Sequence, residues 1–358
     1  MEEYLPLIRG KTIGMVVNHT TAIGSAHLVD TLLSLDINIK AIYAPEHGFR
    51  GNVERGKDID DGIDAETGVQ VFSIYGESRK PSPEMLDGID LMIFDMQDVG
   101  VRFFTYVSTM HYVMEACAEN NIKLLILDRP NPIGHYVDGP VLDPEFRSFI
   151  GMHEVPIAHG MTLGEIAGMI NGEQWLKDGN QCDLKVIKAA NYDHTTRFTF
   201  SVRASPNLPD MKSVYLYPSI CLFEGTVVSE GRGTYKPFQQ FGAPWFTQKN
   251  HQYIPESIPV LAFDPKFNGQ ICYGYDLSSK TIEELQAIDS LNISYLIEFY
   301  EKSGMSEEFF ERSFNLLAGN DILKFQIMSG LPESEIRQSW QPGLENFLQL
   351  REKYLLYP

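Results

Sequence analysis

A glutamate and a histidine, Glu46 and His47, stand side by side in the segment PEHGFRG, directly after the apolar run of residues 37–45. A loop between Pro and Gly has little need of a helix cap, so a catalytic acid is one interpretation of Glu46. A carboxyl held at a partly desolvated strand end has a raised pKa and stays protonated near neutrality, as a general acid must. The alternative is a structural ion pair between Glu46 and Arg50 or Arg55.

The segment DMQDVGVRFFTY combines two carboxylates, an amide, a guanidinium and a phenol. These are Asp95, Gln97, Asp98, Arg102 and Tyr106. The two aspartates could bind a divalent metal through oxygen ligands, or hydrogen-bond sugar hydroxyls and brace neighbouring side chains. Because residue 97 is Gln, the DxDx(T/V) nucleophile of aspartate-based phosphatases is absent.

A third polar segment, FEGTVVSEGRGT, places Glu224, Glu230 and Arg232 among glycines and small hydroxyl residues. Glycine allows a ligand to approach the backbone closely, and Arg offers a planar fork that matches a carboxylate. The structural alternative is an internally paired turn, with Glu230 bound to Arg232.

These segments need a scaffold, and the first part of the chain provides the pattern for one. Short apolar runs alternate with helical stretches, which predicts βαβ units and a parallel sheet covered on both faces. Polar side chains beyond the carboxyl ends of such strands share one crevice, so Asn18 joins the candidates as the residue after the first run. The predicted strands are 12–18, 37–45, 68–76, 91–96 and 123–130, and the predicted helices are 27–36, 108–120 and 161–176.

The chain of 358 residues exceeds what one core usually spans, so we expect two domains. Near residue 205 the sequence becomes rich in aromatics, Pro and Gly, and beyond about residue 290 it is mostly helical. We therefore predict a Rossmann-like, doubly wound parallel sheet in residues 1–205. A smaller α+β domain in residues 206–358 would complete the cleft.

Composition restricts the partners. Lys and Arg total 29 against 48 Asp and Glu, and the net charge of -19 repels nucleic acid and anionic membranes. The cysteines lack metal-ligand or CxxC spacing, which predicts buried thiols without an essential disulfide; they are Cys117, Cys182, Cys221 and Cys272. No apolar run is long enough to cross a bilayer, and the first residues lack the pattern of a secretion signal.

Cofactor motifs are also missing from the sequence. HTTAIG follows the first strand where a dinucleotide fold would carry GxGxxG, and neither GxxxxGK(S/T) nor GxSxG occurs. We therefore expect no dinucleotide, no other cofactor and no bound metal.

Six segments, in order along nearly the whole chain, carry a resemblance to a known family. Together they resemble the signature segments of the NamZ-type exo-β-N-acetylmuramidases, glycoside hydrolase family 171. The resemblance implies a Rossmann-like catalytic domain, a smaller C-terminal domain and an active site between them. It also implies a terminal β-linked N-acetylmuramic acid as substrate, and a periplasmic or secreted protein whose signal segment is absent here, with the cytoplasm as the alternative. The segments are PEHGFRG, DMQDVGVRFFTY, LDRPNPIG, HGMTLGEIA, SPNLP and FEGTVVSEGRGTYKPFQQFGAPW.

The resemblance also selects residues. It makes Glu46 the essential carboxylate, with His47 beside it and Glu230 as a further catalytic candidate. One position departs from the family, where Arg commonly precedes the HGMT histidine and Ala158 stands here. The residues implied to line the cleft and bind substrate are Asn18, Asp95, Gln97, Asp98, Arg102, Tyr106, His159, Glu165, Glu224 and Arg232.

The leading hypothesis is hydrolysis with Glu46 as the general acid. The second group is a carboxylate that acts on water or as nucleophile, or the 2-acetamido group of the substrate itself. One rival is a metal-dependent hydrolase that uses Asp95, Asp98 and His47, which EDTA would inactivate. The other is a non-catalytic muropeptide-binding protein. The sequence leaves the oligomeric state open.

Selectivity for the muramide would depend on its lactyl carboxylate. In a chain of net charge -19, that anion needs a short, direct, charge-assisted contact. The candidates are Arg102 and Arg232, and we favour Arg232 because the second domain could then determine selectivity while the first supplies the chemistry.

Overall fold

The structure, a computed structural model, describes residues 1–50, 61–76, 78–248 and 250–358. Its strands are β1 (Thr12–Val17), β2 (Ala22–Ile23), β3 (Ala26–His27), β4 (Asn38–Ala44), β5 (Gly62–Ile63), β6 (Gln70–Ser73), β7 (Leu91–Asp95), β8 (Lys123–Leu127), β9 (Leu184–Ile187), β10 (Gln240–Ala243), β11 (Gln252–Tyr253) and β12 (Cys272–Asp276).

The α-helices are α1 (Leu5–Ile8), α2 (Leu28–Leu33), α3 (Tyr106–Glu119), α4 (Leu163–Gly172), α5 (Met211–Ile220), α6 (Ile282–Gln286), α7 (Ser294–Ser303), α8 (Phe314–Ala318), α9 (Ile322–Met328) and α10 (Glu333–Arg351). Short 3-10 helices cover Pro144–Phe146, Lys177–Gly179, Cys221–Gly225 and Glu307–Phe309.

The main sheet has the order β5-β6-β4-β1-β7-β8-β9, and β5 alone runs antiparallel to its neighbour. Numbered along the chain, the parallel strands lie in the order 3-2-1-4-5-6 of the dinucleotide-binding folds, with the switch point between β1 and β7. All five predicted strands are present, so the Rossmann-like prediction is confirmed. The sequence pattern missed the sixth parallel strand, β9.

Side chains along each strand alternate between two cores, because successive residues of a strand point to opposite faces. In β1, Val16 enters the larger core, whereas Met15 and Val17 enter the smaller one. Helices α3 and α4 cover the first face, and α1 and α2 cover the second. The sheet is therefore buried on both sides, as its near-continuous apolar strands predict.

Helix α4 begins with a capping box formed by Thr162 and Glu165. The Thr162 hydroxyl accepts a hydrogen bond from the Glu165 backbone N–H at 3.2 Å, and the Glu165 carboxylate accepts from the Thr162 backbone N–H at 2.9 Å. This reciprocal capping box satisfies two donors at the start of the helix. The four cysteines are free and buried, as predicted.

The C-terminal part contains the small antiparallel sheet β10-β12-β11 and the helices from α5 to α10. Its apolar side chains join the larger core of the main sheet, so the two parts share one continuous apolar interior. Within the described residues, no helix has both the length and the apolar character needed to cross a membrane.

Arg102 forms hydrogen bonds to both parts of the chain. Its side chain is buried, and its guanidinium donates to the carbonyls of Pro140 and Val155 at 2.8 Å each. It also donates to the carbonyls of Leu317 and Ala318, at 3.0 and 2.7 Å. Burial lowers the pKa of Arg102 to about 9. Arg102 is therefore a structural link rather than the exposed fork that the sequence suggested.

Replacing Arg102 by Met should destabilise the protein by about 3 kcal/mol or more, because several buried carbonyls lose their donor at once. The free energy of unfolding from urea titration measures this effect. Arg312→Met, at an exposed position in the C-terminal part, is the control and should stay within about 0.5 kcal/mol of wild type. An Arg102→Met variant as stable as that control would contradict the structural assignment.

Candidate active site

A small cavity lies at the carboxyl edge of the main sheet, where the two parts of the chain meet. It encloses about 200 Å³. Loops after β4, β6 and β7 line one side, and residues of the C-terminal part line the other. The lining residues are Glu46, His47, Tyr75, Arg79, Phe103, Phe104, Thr105, Tyr106, Phe149, Ile150, Ser205, Asn207, Leu208, Tyr217, Arg232 and Phe238.

Glu46 lies in a tight turn directly after β4. The Gly48 N–H donates to the Pro45 carbonyl at 2.9 Å, which closes a four-residue turn around Glu46 and His47. His47 has a φ of 73°, in the left-handed region that non-glycine residues rarely adopt. The chain accepts this backbone conformation at the point where Glu46 and His47 enter the cavity, and strained backbone of this kind concentrates at functional sites.

Two hydroxyl groups hold the Glu46 carboxyl. Tyr75 donates to Oε1 at 2.9 Å, and Thr105 donates to Oε2 at 2.8 Å. Glu46 is only 7% exposed. A hydroxyl can both donate and accept, so these contacts serve the carboxyl with or without its proton. The alternative ion pair is not formed with Arg50, which binds Asp64 at 2.8 Å, and Arg55 lies outside the described residues.

Tyr106 forms the floor of the cavity beside Glu46, at the start of α3. Its hydroxyl accepts a hydrogen bond from the Asn18 side-chain amide at 2.6 Å. Asn18 is fully buried, and its own carbonyl oxygen accepts from the backbone N–H and hydroxyl of Thr20. Asn18 therefore positions Tyr106 from behind and does not line the cavity.

Arg232 reaches the cavity from the C-terminal part. It forms the internal pairs that the sequence allowed, with 2.8 Å to the Glu224 carboxylate and 3.5 Å to that of Glu230. Its guanidinium also lies 5.6 Å from the ring centre of Phe238. Both glutamates line a small pocket behind Arg232 rather than the cavity with Glu46. They fix the orientation of a cationic group that faces the cavity.

Asp95 does not face this cavity. It forms an ion pair with Arg129, with oxygen–nitrogen distances of 2.5 and 3.1 Å, and lines a separate groove near the start of the chain. Gln97 donates to the carbonyls of Asp98 and Pro130 at 2.8 Å each, which makes it a loop brace. Asp95, Asp98 and His47 therefore do not share one site.

His159 and Glu165 also lie away from the cavity. The His159 ring is buried, which lowers its pKa to about 3, and it accepts a hydrogen bond from the Met161 N–H. Glu165, besides its capping role, contacts His194 at 3.0 Å and accepts from the Leu356 N–H at 2.8 Å. Both residues support the structure around the site. Of the residues selected from the sequence, the cavity gathers Glu46, His47, Tyr106 and Arg232.

Sequence reasoning missed Tyr75, Thr105 and Arg79. Tyr75 follows β6 in the structure, but it lies inside the predicted strand 68–76, so a search for polar residues after the predicted strands passes over it. Thr105 stands next to Tyr106 within a segment already singled out. Arg79 lies farther along the loop after β6, and it faces the cavity from over the ring of Phe149, 4.4 Å from the ring centre. No local pattern points to Arg79.

Both parts of the chain match models of known protein families. The model for the N-terminal region of the exo-beta-N-acetylmuramidase NamZ matches residues 13–212, and the model for its C-terminal region matches residues 215–357. The chain belongs to the NamZ family of exo-β-N-acetylmuramidases. The peptidoglycan beta-N-acetylmuramidase NamZ of Bacillus subtilis strain 168 is 38% identical over 378 residues, covering 100% of this chain and 89% of that relative.

Two solved structures share the fold of this NamZ family member. A DUF1343 family protein from Bacteroides fragilis NCTC 9343 is 46% identical, with a TM-score of 0.92 over 99% of this chain and 96% of that one. A second DUF1343 protein of the same strain is 28% identical, with a TM-score of 0.83 over 100% and 97% of the two chains. Both parts of the chain are therefore arranged as in known proteins.

We searched the described residues for side chains that could coordinate a metal ion together. Among them, no group of three or more His, Cys, Asp or Glu side chains is arranged to hold an ion.

Asp98 is a buried carboxyl behind the cavity. One oxygen accepts from the Gly100 N–H at 2.7 Å, and the other has no partner among the described residues. Burial raises the pKa of Asp98 to about 7. The folded protein therefore holds a proton on Asp98 at pH values where the unfolded chain has lost it.

Asp98 should make the protein less stable as pH rises from about 4 to 7, by about 1.4 kcal/mol per pH unit, because the folded state binds the extra proton across this window. Asp98→Asn keeps the acceptor for Gly100 and removes the titration. The difference in unfolding free energy between the two proteins, followed from pH 4 to 8, should therefore shift in favour of the Asn variant. A difference that does not vary with pH would contradict the raised pKa.

Proposed function

We propose that the protein is an exo-acting glycoside hydrolase that releases N-acetylmuramic acid from the non-reducing ends of peptidoglycan fragments. The observation that carries this proposal is Glu46, a buried carboxyl between two hydroxyls in a cavity shared by both parts of the chain. Membership of the NamZ family supports the substrate class. So does the name of the Bacillus subtilis relative, a peptidoglycan β-N-acetylmuramidase.

The size of the cavity supports action at chain ends. A volume of about 200 Å³ is on the scale of a single sugar ring, which fits the binding of one terminal residue. Aromatic side chains form much of its wall, among them Phe103, Phe104 and Tyr217. Such walls suit the apolar face of a ring, while the polar groups bind its substituents.

Glu46 is the only carboxylate among the described residues that line the cavity. Glycosidases with two catalytic carboxylates place both beside the scissile bond, whereas Glu230 lies in the pocket behind Arg232. This arrangement supports the 2-acetamido group of the substrate as the second catalytic group. The proposal therefore assigns no direct chemistry to Glu230.

In the first step, the acetamido oxygen attacks the anomeric carbon as the bond to the leaving oxygen breaks. Glu46 gives its proton to that oxygen, so the leaving sugar departs as a neutral alcohol. In the second step, water attacks the anomeric carbon and opens the cyclic intermediate, and Glu46 takes the proton from that water. The released N-acetylmuramic acid keeps its original anomeric configuration, and Glu46 returns to its starting state.

Two arginines line the cavity and could bind the lactyl carboxylate, Arg79 and Arg232. Arg232 is the better placed, because Glu224 and Glu230 fix its planar fork in advance. A guanidinium has five N–H donors, so two protein carboxylates still leave donors for a third. Arg102, the other candidate from the sequence, is occupied by backbone carbonyls.

The substrate also suggests where the protein acts. Peptidoglycan lies outside the cytoplasmic membrane, which supports a periplasmic or secreted location and a role in cell wall turnover. Uptake of small fragments would make the cytoplasm the alternative site. Fractionation of the native cells with an antibody to this protein distinguishes the two.

The test of function compares an aryl β-N-acetylmuramide with the matching β-N-acetylglucosaminide. We expect release of the aryl group from the muramide only. Tight binding of the muramide without release would favour a muropeptide-binding protein, and release from both sugars would contradict selection by the lactyl group.

Glu46→Gln should lower the turnover of the muramide by roughly two or more orders of magnitude, because the amide keeps the size of the side chain but cannot give up a proton as an acid. Glu298→Gln is the matched control, since Glu298 also accepts from a tyrosine hydroxyl, that of Tyr275 at 2.9 Å, but lies outside the cavity. The control should keep wild-type turnover. A Glu46→Gln variant within a few-fold of wild type would refute the acid role.

Arg232→Lys should reduce muramide turnover by about tenfold to a hundredfold, since a point charge replaces a planar fork at a charge-assisted contact. Turnover or binding of a substrate without the lactyl group should barely change. Arg79→Lys is the comparison at the other arginine. If the loss appears at Arg79 alone, the lactyl group binds there instead, and if neither variant loses selectivity, arginine recognition is wrong.

A further inference from the structure

A second groove lies beside the cavity and has no part in the proposed chemistry. We call it the adjoining groove. It encloses about 450 Å³, and Arg79 and Phe149 line both it and the cavity. Its lining residues include Tyr112, Ser148, Phe149, His153, Trp175 and Lys177. Because they share these two residues, the groove lies directly beside the cavity.

Aromatic rings form its walls in two flat pairs. Phe149 and Tyr112 lie nearly parallel, with 18° between their planes and 6.4 Å between ring centres. Trp175 stacks on His153 with 12° between planes and 5.1 Å between centres. Flat, rigid aromatic surfaces offer a large contact area to the apolar face of a ring-shaped ligand at little cost in side-chain entropy.

Polar atoms around the groove have no partner in the described part of the chain. They are the Ser148 hydroxyl, Nδ1 of His111 and Nε2 of His153. His153 is buried, and burial together with the nearby His111 holds its pKa well below the usual range. Its ring is therefore neutral and offers a donor and an acceptor. Buried polar atoms normally find partners, so these three, which lie beneath the surface of the groove, require water or a side-chain rotation that brings them to a ligand hydroxyl.

The charge of the groove also differs from that of the whole molecule. Among the described residues that line it, Arg79, Arg147 and Lys177 lie beside a single carboxylate, Glu115, which contacts Lys80 and His111. Arg147 has a partner outside the groove, Glu154 at 2.9 Å. In a chain of net charge -19, this is a local positive surface. It suits a ligand that carries carboxylates as well as hydroxyls.

We propose that the adjoining groove is the subsite for the saccharide on the leaving side of the scissile bond. The terminal muramic acid would fill the cavity, and the next sugar would lie against Tyr112 and Phe149. The arginine and lysine side chains of the groove would face the carboxylates that longer fragments carry. This inference rests on the proposed function, because it needs a glycosidic bond at Glu46.

The pocket on the opposite side of the cavity is a poorer site for that sugar. It shares Ile150 and Arg232 with the cavity. Its carboxylates, those of Glu224, Glu230 and Asp264, outnumber its cations, Arg232 and Lys266, so it is less suited to an anionic fragment. It also encloses only about 230 Å³ and includes no aromatic side chain among its lining residues. Among the described lining residues, the leaving sugar therefore finds aromatic ring surfaces on one side only.

The test measures binding on the two sides of the scissile glycosidic bond separately. For each variant, kcat/KM is measured with the disaccharide of N-acetylmuramic acid β-linked to N-acetylglucosamine. The inhibition constant is measured with methyl β-N-acetylmuramide, which has no leaving-side ring. Tyr112→Ala should lower kcat/KM for the disaccharide by roughly three- to tenfold, and the inhibition constant should change by less than about twofold.

Two further variants check the role of the ring. Tyr112→Phe keeps the aromatic ring and should have a kcat/KM for the disaccharide close to that of wild type. That result would show that loss of the ring, and not a change in the fold, lowers kcat/KM in Tyr112→Ala. Phe325→Ala removes an aromatic ring that is 70% exposed on α9, outside the groove, and should change neither constant. Thermal unfolding of each variant is recorded beside the kinetics.

Two results overturn the inference while the proposed function stands. One is a Tyr112→Ala variant that cleaves the disaccharide as wild type does. The other is an equal loss for the disaccharide and for binding of the methyl muramide, which would place Tyr112 in the cavity site itself. If the wild-type protein cleaves no muramide at all, the proposed function fails, and this inference fails with it.

Discussion

The burial of one cation between the two parts of the chain is the interaction on which the site depends. Arg102 donates to four backbone carbonyls, two in the loop that carries Pro140 and Val155 and two at the end of α8. Gly319 follows with a φ of 80°, and a Cβ there would lie 2.4 Å from the guanidinium. A charge that leaves water requires several well-placed acceptors, so this contact forms only when both parts are in position. The cavity, which both parts line, follows from that fit.

Within this frame, the parallel sheet determines which loops meet. Strands β4, β6 and β7 end at the same edge, so Glu46, Tyr75 and Thr105 converge although they are far apart in sequence. At the switch point between β1 and β7, where a dinucleotide binds in related sheets, Asn18 is buried and donates a hydrogen bond to Tyr106. The same architecture thus supplies a buried carboxyl rather than a phosphate site, which illustrates that fold and function are separate questions.

Electrostatics at the site depend on position and not on net charge. The chain carries -19 overall, yet the cavity combines a single described carboxylate with Arg79 and Arg232. Glu224 and Glu230 lie behind Arg232 and hold it, so their charges orient a cation rather than line the cavity. The cavity therefore offers an anion directed, short-range contacts, which salt screens less than a long-range field.

The sequence by itself determined the layered fold, the parallel strands, the capping box of α4 and the placement of Glu46 at a strand end, because each depends on local periodicity or on neighbours within a few residues. It could not determine which polar residues after the strands would face the cavity. Asp95 pairs with Arg129 at a distance of 34 positions, and Arg102 binds carbonyls more than 200 positions away. These partners come together only when the chain packs, because a buried charge is stable only where complementary groups surround it. Arg79, in the loop after β6, is a cavity residue for the same reason, and only the tertiary structure identifies it.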